Sequence, residues 1–234
     1  MDQMFYRLNT SVNHDEIGSY PQIEEIDKSE QYDFREPYSI RNIIEVEQPL
    51  IGVKFPRFKM KAKAKATDIL SNVIAGYKFL TISKRAFLAI SDLSLGRFQV
   101  FDVSIIHRKK VLDYHALYLI GFQDGFVDWE KCKFGVADWR TYYDRQEWIY
   151  LEYPKINSYR EYHNYINNLV KKDKNFTLKT IQVQYTYSSD FDLFRVRLPG
   201  YVIYACSGYF KTIVEREGLT GFQFEALPYS QKVD

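Results

Sequence analysis

The residue types that can do covalent or acid–base chemistry are sparse and dispersed in this sequence. The four histidines, His14, His107, His115 and His163, are scattered. The nearest pair, His107 and His115, stands in strand-like sequence, where satisfied or exposed imidazoles are expected before a metal site. Asp124 with Asp128, and Asp190 with Asp192, would suit glycoside chemistry, which needs two carboxyls held a few ångströms apart. Both pairs sit in turn-like contexts, QDGFVD and SSDFD, where an aspartate bonds its own backbone. Ser207, between Cys206 and Gly208, has the place of a nucleophile at a strand-to-helix elbow, but its match with Ser83 reads as a helix cap. No G-x-S-x-G, Walker-type G-x-x-x-x-G-K, G-x-G-x-x-G after a strand, or H-E-x-x-H occurs. The expectation is a protein without catalytic residues, metal or cofactor.

Aromatic side chains offer a different chemistry. Twenty Tyr and 17 Phe supply large, flat, partly polar surfaces that serve a β-rich core or an interface. Asp128-Trp129 in FVDWEKCKF and Asp138-Trp139 in VADWR set an indole beside a carboxylate. That pairing stacks on sugars or nucleobases when exposed, although tryptophan more commonly anchors a core or an interface. Between Tyr142 and Tyr165 the chain interleaves Tyr142, Tyr143, Trp148, Tyr150, Tyr153, Tyr159, Tyr162 and Tyr165 with charged residues, the most interface-like composition present. Trp139, Tyr142, Tyr143, Trp148, Tyr159 and Tyr162 are the candidate contacts for a protein partner, with acidic residues of the first fifty as an alternative zone.

Strand signals outnumber helix signals among the elements that must position these groups. Lys110 to Gly121, Glu147 to Tyr153, Thr177 to Tyr185 and Phe191 to Arg197 are β-branched and aromatic. KFPRFKMKAKAKATDIL alternates Lys59, Lys61, Lys63 and Lys65 with apolar neighbours, predicting a half-buried strand with a solvated basic face. SYREYHNYINNLVKKDK predicts a helix, with Ser158 and Glu161 as a capping box, a stripe of Tyr159, Tyr162, Ile166, Leu169 and Val170, and Lys171, Lys172 and Lys174 at its end.

Sliding the chain by 124 positions aligns Gly76-Tyr77 with Gly200-Tyr201, Ser83 with Ser207, Leu95 with Leu219, and Phe98-Gln99 with Phe222-Gln223. Each segment, 76–106 and 200–228, reads strand, helix, strand; duplication and convergent β-turn-α grammar stay open as explanations. The fold class predicted is α+β, a mixed or mainly antiparallel sheet with helices packed on one side. Residues 1–234 are read as a single domain, in which 1–50 form an acidic arm packed on a 51–234 core. That arm carries eleven Asp and Glu against four Lys and Arg, whereas Lys54 to Ala66 carries six bases and no acid, so the two stretches are suited to face each other.

A net charge of +2 gives no basis for a nucleic-acid or membrane-surface reading. Only Cys132 and Cys206 are present, which excludes a disulfide framework and predicts a reduced, cytoplasmic setting. No export-signal pattern opens the sequence, and no apolar run reaches membrane-spanning length.

The order TDIL, FLTIS before a helix, FQVFDVSI, YLIGF, FVDWEKCKF and a terminal GLTGFQFEAL resembles a bacterial family of immunity proteins found beside polymorphic toxins. The similarity covers roughly residues 50–228, and Asp128 to Lys131 and Leu219 to Phe224 are its most specific pieces. The chain departs from the family at Cys132, where members often carry serine. The resemblance implies an antidote that binds a cognate toxin and occludes its active site, with oligomeric state left open. A carbohydrate- or nucleotide-binding module built on the Asp-Trp pairs and tyrosines is the alternative.

Overall fold

The computed structural model describes residues 4–29, 31–43, 47–186, 188–228 and 230–232, with Tyr77, Asp144 and 230–232 described by backbone alone. Parts of the predicted acidic arm, residues 1–3, 30 and 44–46, lie outside that set. Elements of the first half are β1 (Phe5–Thr10), α1 (His14–Ile17), β2 (Ile23–Ile26), β3 (Phe58–Met60), β4 (Ile69–Leu70), β5 (Leu80–Ser83), α2 (Lys84–Ile90), β6 (Phe98–His107) and β7 (Lys110–Leu119). The second half contains β8 (Lys133–Asp138), α3 (Trp139–Arg145), β9 (Tyr150–Glu152), α4 (Tyr159–Lys172), β10 (Phe176–Gln184), β11 (Leu193–Leu198), β12 (Tyr201–Ser207), α5 (Gly208–Arg216), β13 (Phe222–Ala226) and β14 (Ser230–Lys232). The fold is α+β and mainly β, with antiparallel sheets and one made mixed by the parallel β3–β6 pair. No described helix is long and apolar enough to cross a membrane.

Two compact units emerge where the sequence reads as one domain: 1–122 with 190–195 and 204–226, and 123–189 with 196–203 and 227–234. The first crossing falls inside YLIGFQDGFVDWEK, which has no Pro- or Ser-rich linker to announce it.

The first unit contains the sheet ordered β2-β3-β6-β7-β5-β4 and, of the sheet ordered β11-β12-β1-β13, all of β1 and β13 with residues 193–195 of β11 and 204–207 of β12. Within them β4-β5-β7-β6 and β11-β12-β1-β13 are the same arrangement. Tyr114 opposes Ser83 as Phe5 opposes Ser207, and Leu117 opposes Val100 as Leu8 opposes Phe224. The buried residues correspond too: Ile69 with Leu193, Ile82 with Cys206, Ala86 with Phe210, Ile90 with Val214, Leu95 with Leu219 and Leu117 with Leu8 all share one core. Duplication therefore explains the 124-residue offset better than convergent grammar, because register and core membership agree along with sequence. In the first copy β7 follows β6 directly; in the second, the equivalent strand is β1, contributed from the other end of the chain. Phe5 and Leu8 are buried, so residues 5–10 are an interior part of the sheet and not an arm laid upon it.

Each copy caps its helix in the same way. Ser83 Oγ accepts from the Ala86 amide at 3.0 Å and donates to Asp68 Oδ1 at 2.8 Å. Ser207 Oγ accepts from the Phe210 amide at 3.1 Å and donates to Asp192 Oδ1 at 2.6 Å. In both, the aspartate lies 15 residues before the serine. Each carboxylate also crosses over: Asp68 Oδ2 accepts from the Thr220 amide at 2.9 Å, and Asp192 Oδ2 from the Ser94 amide at 3.1 Å. Gly221, at φ 83°, is required beside Thr220, since a Cβ there would lie 2.4 Å from the Ile69 carbonyl oxygen.

The basic run departs from expectation. Only Phe58–Met60 is strand, because the chain turns at Lys61, whose carbonyl accepts from the Ala64 amide. The acidic and basic stretches do face each other, with Asp27–Arg57, Glu25–Lys59 and Glu24–Lys61 paired. The first copy's strand also begins later than its sequence suggests, at Leu80, after a 3-10 turn over Gly76–Lys78.

Burial raises the Asp68 pKa, but hydrogen bonds from Arg85, the Thr220 amide and hydroxyl and Ser83 outweigh it and hold the carboxyl below its ordinary 3.8. A depressed carboxyl stabilises the fold above its unfolded value and stops doing so as pH falls through the folded one. Asp68→Asn is expected to lower unfolding free energy by about 2–3 kcal/mol near neutrality. It should also flatten the decline in stability between about pH 5 and 3, followed by urea titration. An unchanged midpoint would remove this carboxylate from the account.

Candidate functional site

The six candidate aromatic residues all fall in the second unit, where they separate into two groups. Asp138 ends β8 and caps α3, accepting the Arg140 amide at 2.9 Å. Arg140 folds back on it, Nε at 3.0 Å and Nη2 at 2.5 Å, and holds the Asp138 carboxyl below the usual range. The cap fixes where α3 begins and so sets Trp139 at its first position. After about two turns the chain reverses at Gln146, whose φ of 58° and backbone N–H donated to the Tyr142 carbonyl close the helix.

That reversal returns Trp148 onto the helix. Its ring stacks on Tyr142 at 4.4 Å and 20°, meets Trp139 edge-on at 4.8 Å, and receives the Lys179 ammonium 4.4 Å above it. Tyr143 lies 6.2 Å from Trp139. Pairs of this kind add about 0.5–1.5 kcal/mol each beyond area burial. The cluster stays open to solvent, with Tyr143 71% and Trp139 38% exposed. Beneath it Gly135 leaves room for Tyr150, since a Cβ would fall 2.3 Å from that ring. Next to the cluster, β9 is the edge of the order β14-β10-β8-β9 and carries exposed Leu151, with exposed Tyr153 just beyond it.

Tyr159 and Tyr162 go elsewhere. The helix on which they lie is capped by Ser158, which accepts the Glu161 amide at 3.1 Å. The expected capping box is displaced by one residue: Glu161 Oε2 accepts from the Asn157 amide at 2.8 Å, reaching past Ser158. Tyr162 is 5% exposed, packed on Trp129 at 6.0 Å and Phe134 at 5.5 Å, and so belongs to the core and not to a contact surface. Val170, placed by periodicity on the apolar stripe, is half exposed because α4 buries only the line through Tyr162 and Leu169. Trp129, buried against the stacked Phe134 ring, is likewise structural.

Tyr159 walls a cleft of about 590 Å³ together with Asp124, Asp128, Glu130, Arg160 and Arg197. Arg197 lies 5.2 Å over the Tyr159 ring and 3.6 Å from Asp124, while Lys131 holds Asp128 at 2.7 Å. The Asp124/Asp128 pair thus has basic partners on both members. Asp192 and the fully buried Ser207 are spent on a helix cap. Among the described residues no group of three His, Cys, Asp or Glu side chains is placed to hold a metal ion. Sequence reasoning missed Lys179 and Arg197. Both sit on strands, where only cross-strand register shows which ring each meets.

No family model matches the chain, and no curated protein matches it.

The two groups should respond oppositely to truncation. Tyr162→Ala is expected to cost about 3–5 kcal/mol in urea unfolding, and Tyr143→Ala less than about 0.5 kcal/mol. Equal costs would show that the exposed cluster is also core.

Proposed function

We propose that this protein is an antidote: an immunity protein that binds a cognate bacterial toxin and occludes its active site. The observation that carries this reading is the solvent-open cluster of Trp139, Tyr142, Tyr143 and Trp148. Rings prearranged by their own packing lose little freedom when a partner covers them, which is what makes aromatic side chains effective anchors. Arg145, exposed on the same helix, supplies charge that steers and discriminates. Blocking a toxin requires complementary surface and no reacting group. Such an antidote acts in the cytoplasm, where the free thiols of Cys132 and Cys206 stay reduced.

A second reading, a carbohydrate- or nucleotide-binding module, draws support from the cleft around Tyr159 and Arg197, whose volume lies in the range of small-molecule sites.

Trp139→Ala with Tyr143→Ala is expected to weaken capture of a cognate toxin domain by about 30-fold or more, with little change in melting temperature. Calorimetric titration of the co-expressed domain measures it. Undiminished affinity would sink the role given to this surface, and thermal stabilisation by a neutral sugar or nucleotide would favour the second reading.

A further inference from the structure

A second surface, on the first unit, has a different chemistry. The β6–β7 hairpin closes through two residues, because His107 opposes Lys110. Those two are Arg108 at φ 48° and Lys109 at φ 69°. This left-handed pair suits Asn-Gly, and long side chains there are disfavoured. The strained tip holds two cations beside a cleft of about 440 Å³. Met60, Ala62 and Ile106 give the cleft apolar lining, and Lys59, Lys61, Glu24 and Glu25 complete its charged wall. Arg108 Nε donates to the Ala62 carbonyl at 3.1 Å, fixing the guanidinium against the cleft.

Charge is unbalanced there. Lys59 and Lys61 are paired with Glu25 and Glu24. Arg108, Lys109, Lys110 and Lys63 have no acidic partner among the described residues and are exposed, while the Lys65 ammonium is held by the Asp15 carbonyl at 2.7 Å. Their shared neighbourhood is set by the Arg108–Ala62 bond, which brings the hairpin tip to the loop carrying Lys63.

We propose that this cleft binds a carboxylate-rich segment of a partner protein; taking that partner to be the toxin rests on the antidote reading. The two glutamates decide between peptide and nucleic acid. A phosphate backbone brings only acceptors and negative charge, so it offers nothing to the lysine-bridged carboxylates of Glu24 and Glu25 and leaves the apolar lining uncovered. A peptide brings backbone N–H groups and apolar side chains as well as carboxylates, and it can donate to the remaining lone pairs of the glutamates, cover Ala62 and Ile106, and present its acids to Arg108 and Lys109. Retaining two strained basic residues at a turn that Asn-Gly would fill more stably fits a site kept for contact.

The test uses the full chain with two fluorescent probes of equal net charge, an acidic peptide containing leucine and an oligothymidylate, read by anisotropy at physiological salt. The native protein should prefer the peptide. Arg108→Asn with Lys109→Gly should lose about tenfold in peptide affinity while melting about 2–4 °C higher, since the new pair fits the turn. Glu24→Gln with Glu25→Gln should shift preference towards the oligonucleotide. Glutamine at Lys171, Lys172 and Lys174 should leave peptide affinity unchanged. Tighter oligonucleotide binding by the native protein, or unaltered peptide affinity in the turn variant, would overturn the proposal. None of these measurements needs the toxin, so failure of the antidote reading leaves them separately interpretable.

Discussion

Two carboxylates hold the first unit together by each serving both halves of a duplicated motif. Asp68 and Asp192 receive the serine hydroxyl that caps their own copy's helix and a backbone amide from the other copy's loop. A buried amide without a partner costs more than its hydrogen bond gains when made, so each loop is complete only when the opposite copy is in place. α2 and α5 pack on each other over the core that these bonds enclose. The serine and amide bonds repeat in both copies, Asp68 adding Arg85 and the Thr220 hydroxyl, while the filling differs: Ala86 on one helix corresponds to Phe210 on the other, a small side chain answered by a large one.

Local structure was legible wherever a short-range rule governs it. The caps at Ser83, Ser158 and Ser207, the course of α4, and the strands β7 and β10 follow from periodicity and from side chains that bond amides two or three residues on. Non-local closure was not legible. Nothing in Phe5 to Thr10 states that it stands between β12 and β13, because partner choice in a sheet depends on register with distant strands. The lysine run misled for a related reason. Alternation describes which side a residue faces but not whether a neighbouring strand continues alongside, and β3 stops after three residues.

The aromatic residues show how far composition reaches. Tyr142 and Tyr162 are the same residue type in the same tyrosine-rich stretch, yet one is half-buried in a solvent-open cluster and the other is buried on the inner face of α4. The difference lies in the capping positions. Asp138 starts α3 so that Trp139 begins a short helix with little to cover it, whereas Ser158 starts α4 so that Tyr162 faces Trp129 and Phe134. Rings that stack on one another can stay organised without a covering layer, and this allows an exposed patch to be ordered before anything touches it.

The position of β1 also bears on how the molecule is made. During synthesis this strand emerges roughly two hundred residues ahead of β12 and β13, so its neighbours do not yet exist when it leaves the ribosome. The first copy can assemble early, from contiguous chain. The second must wait, with Phe5 and Leu8 of its strand uncovered, until β12 and β13 have been made.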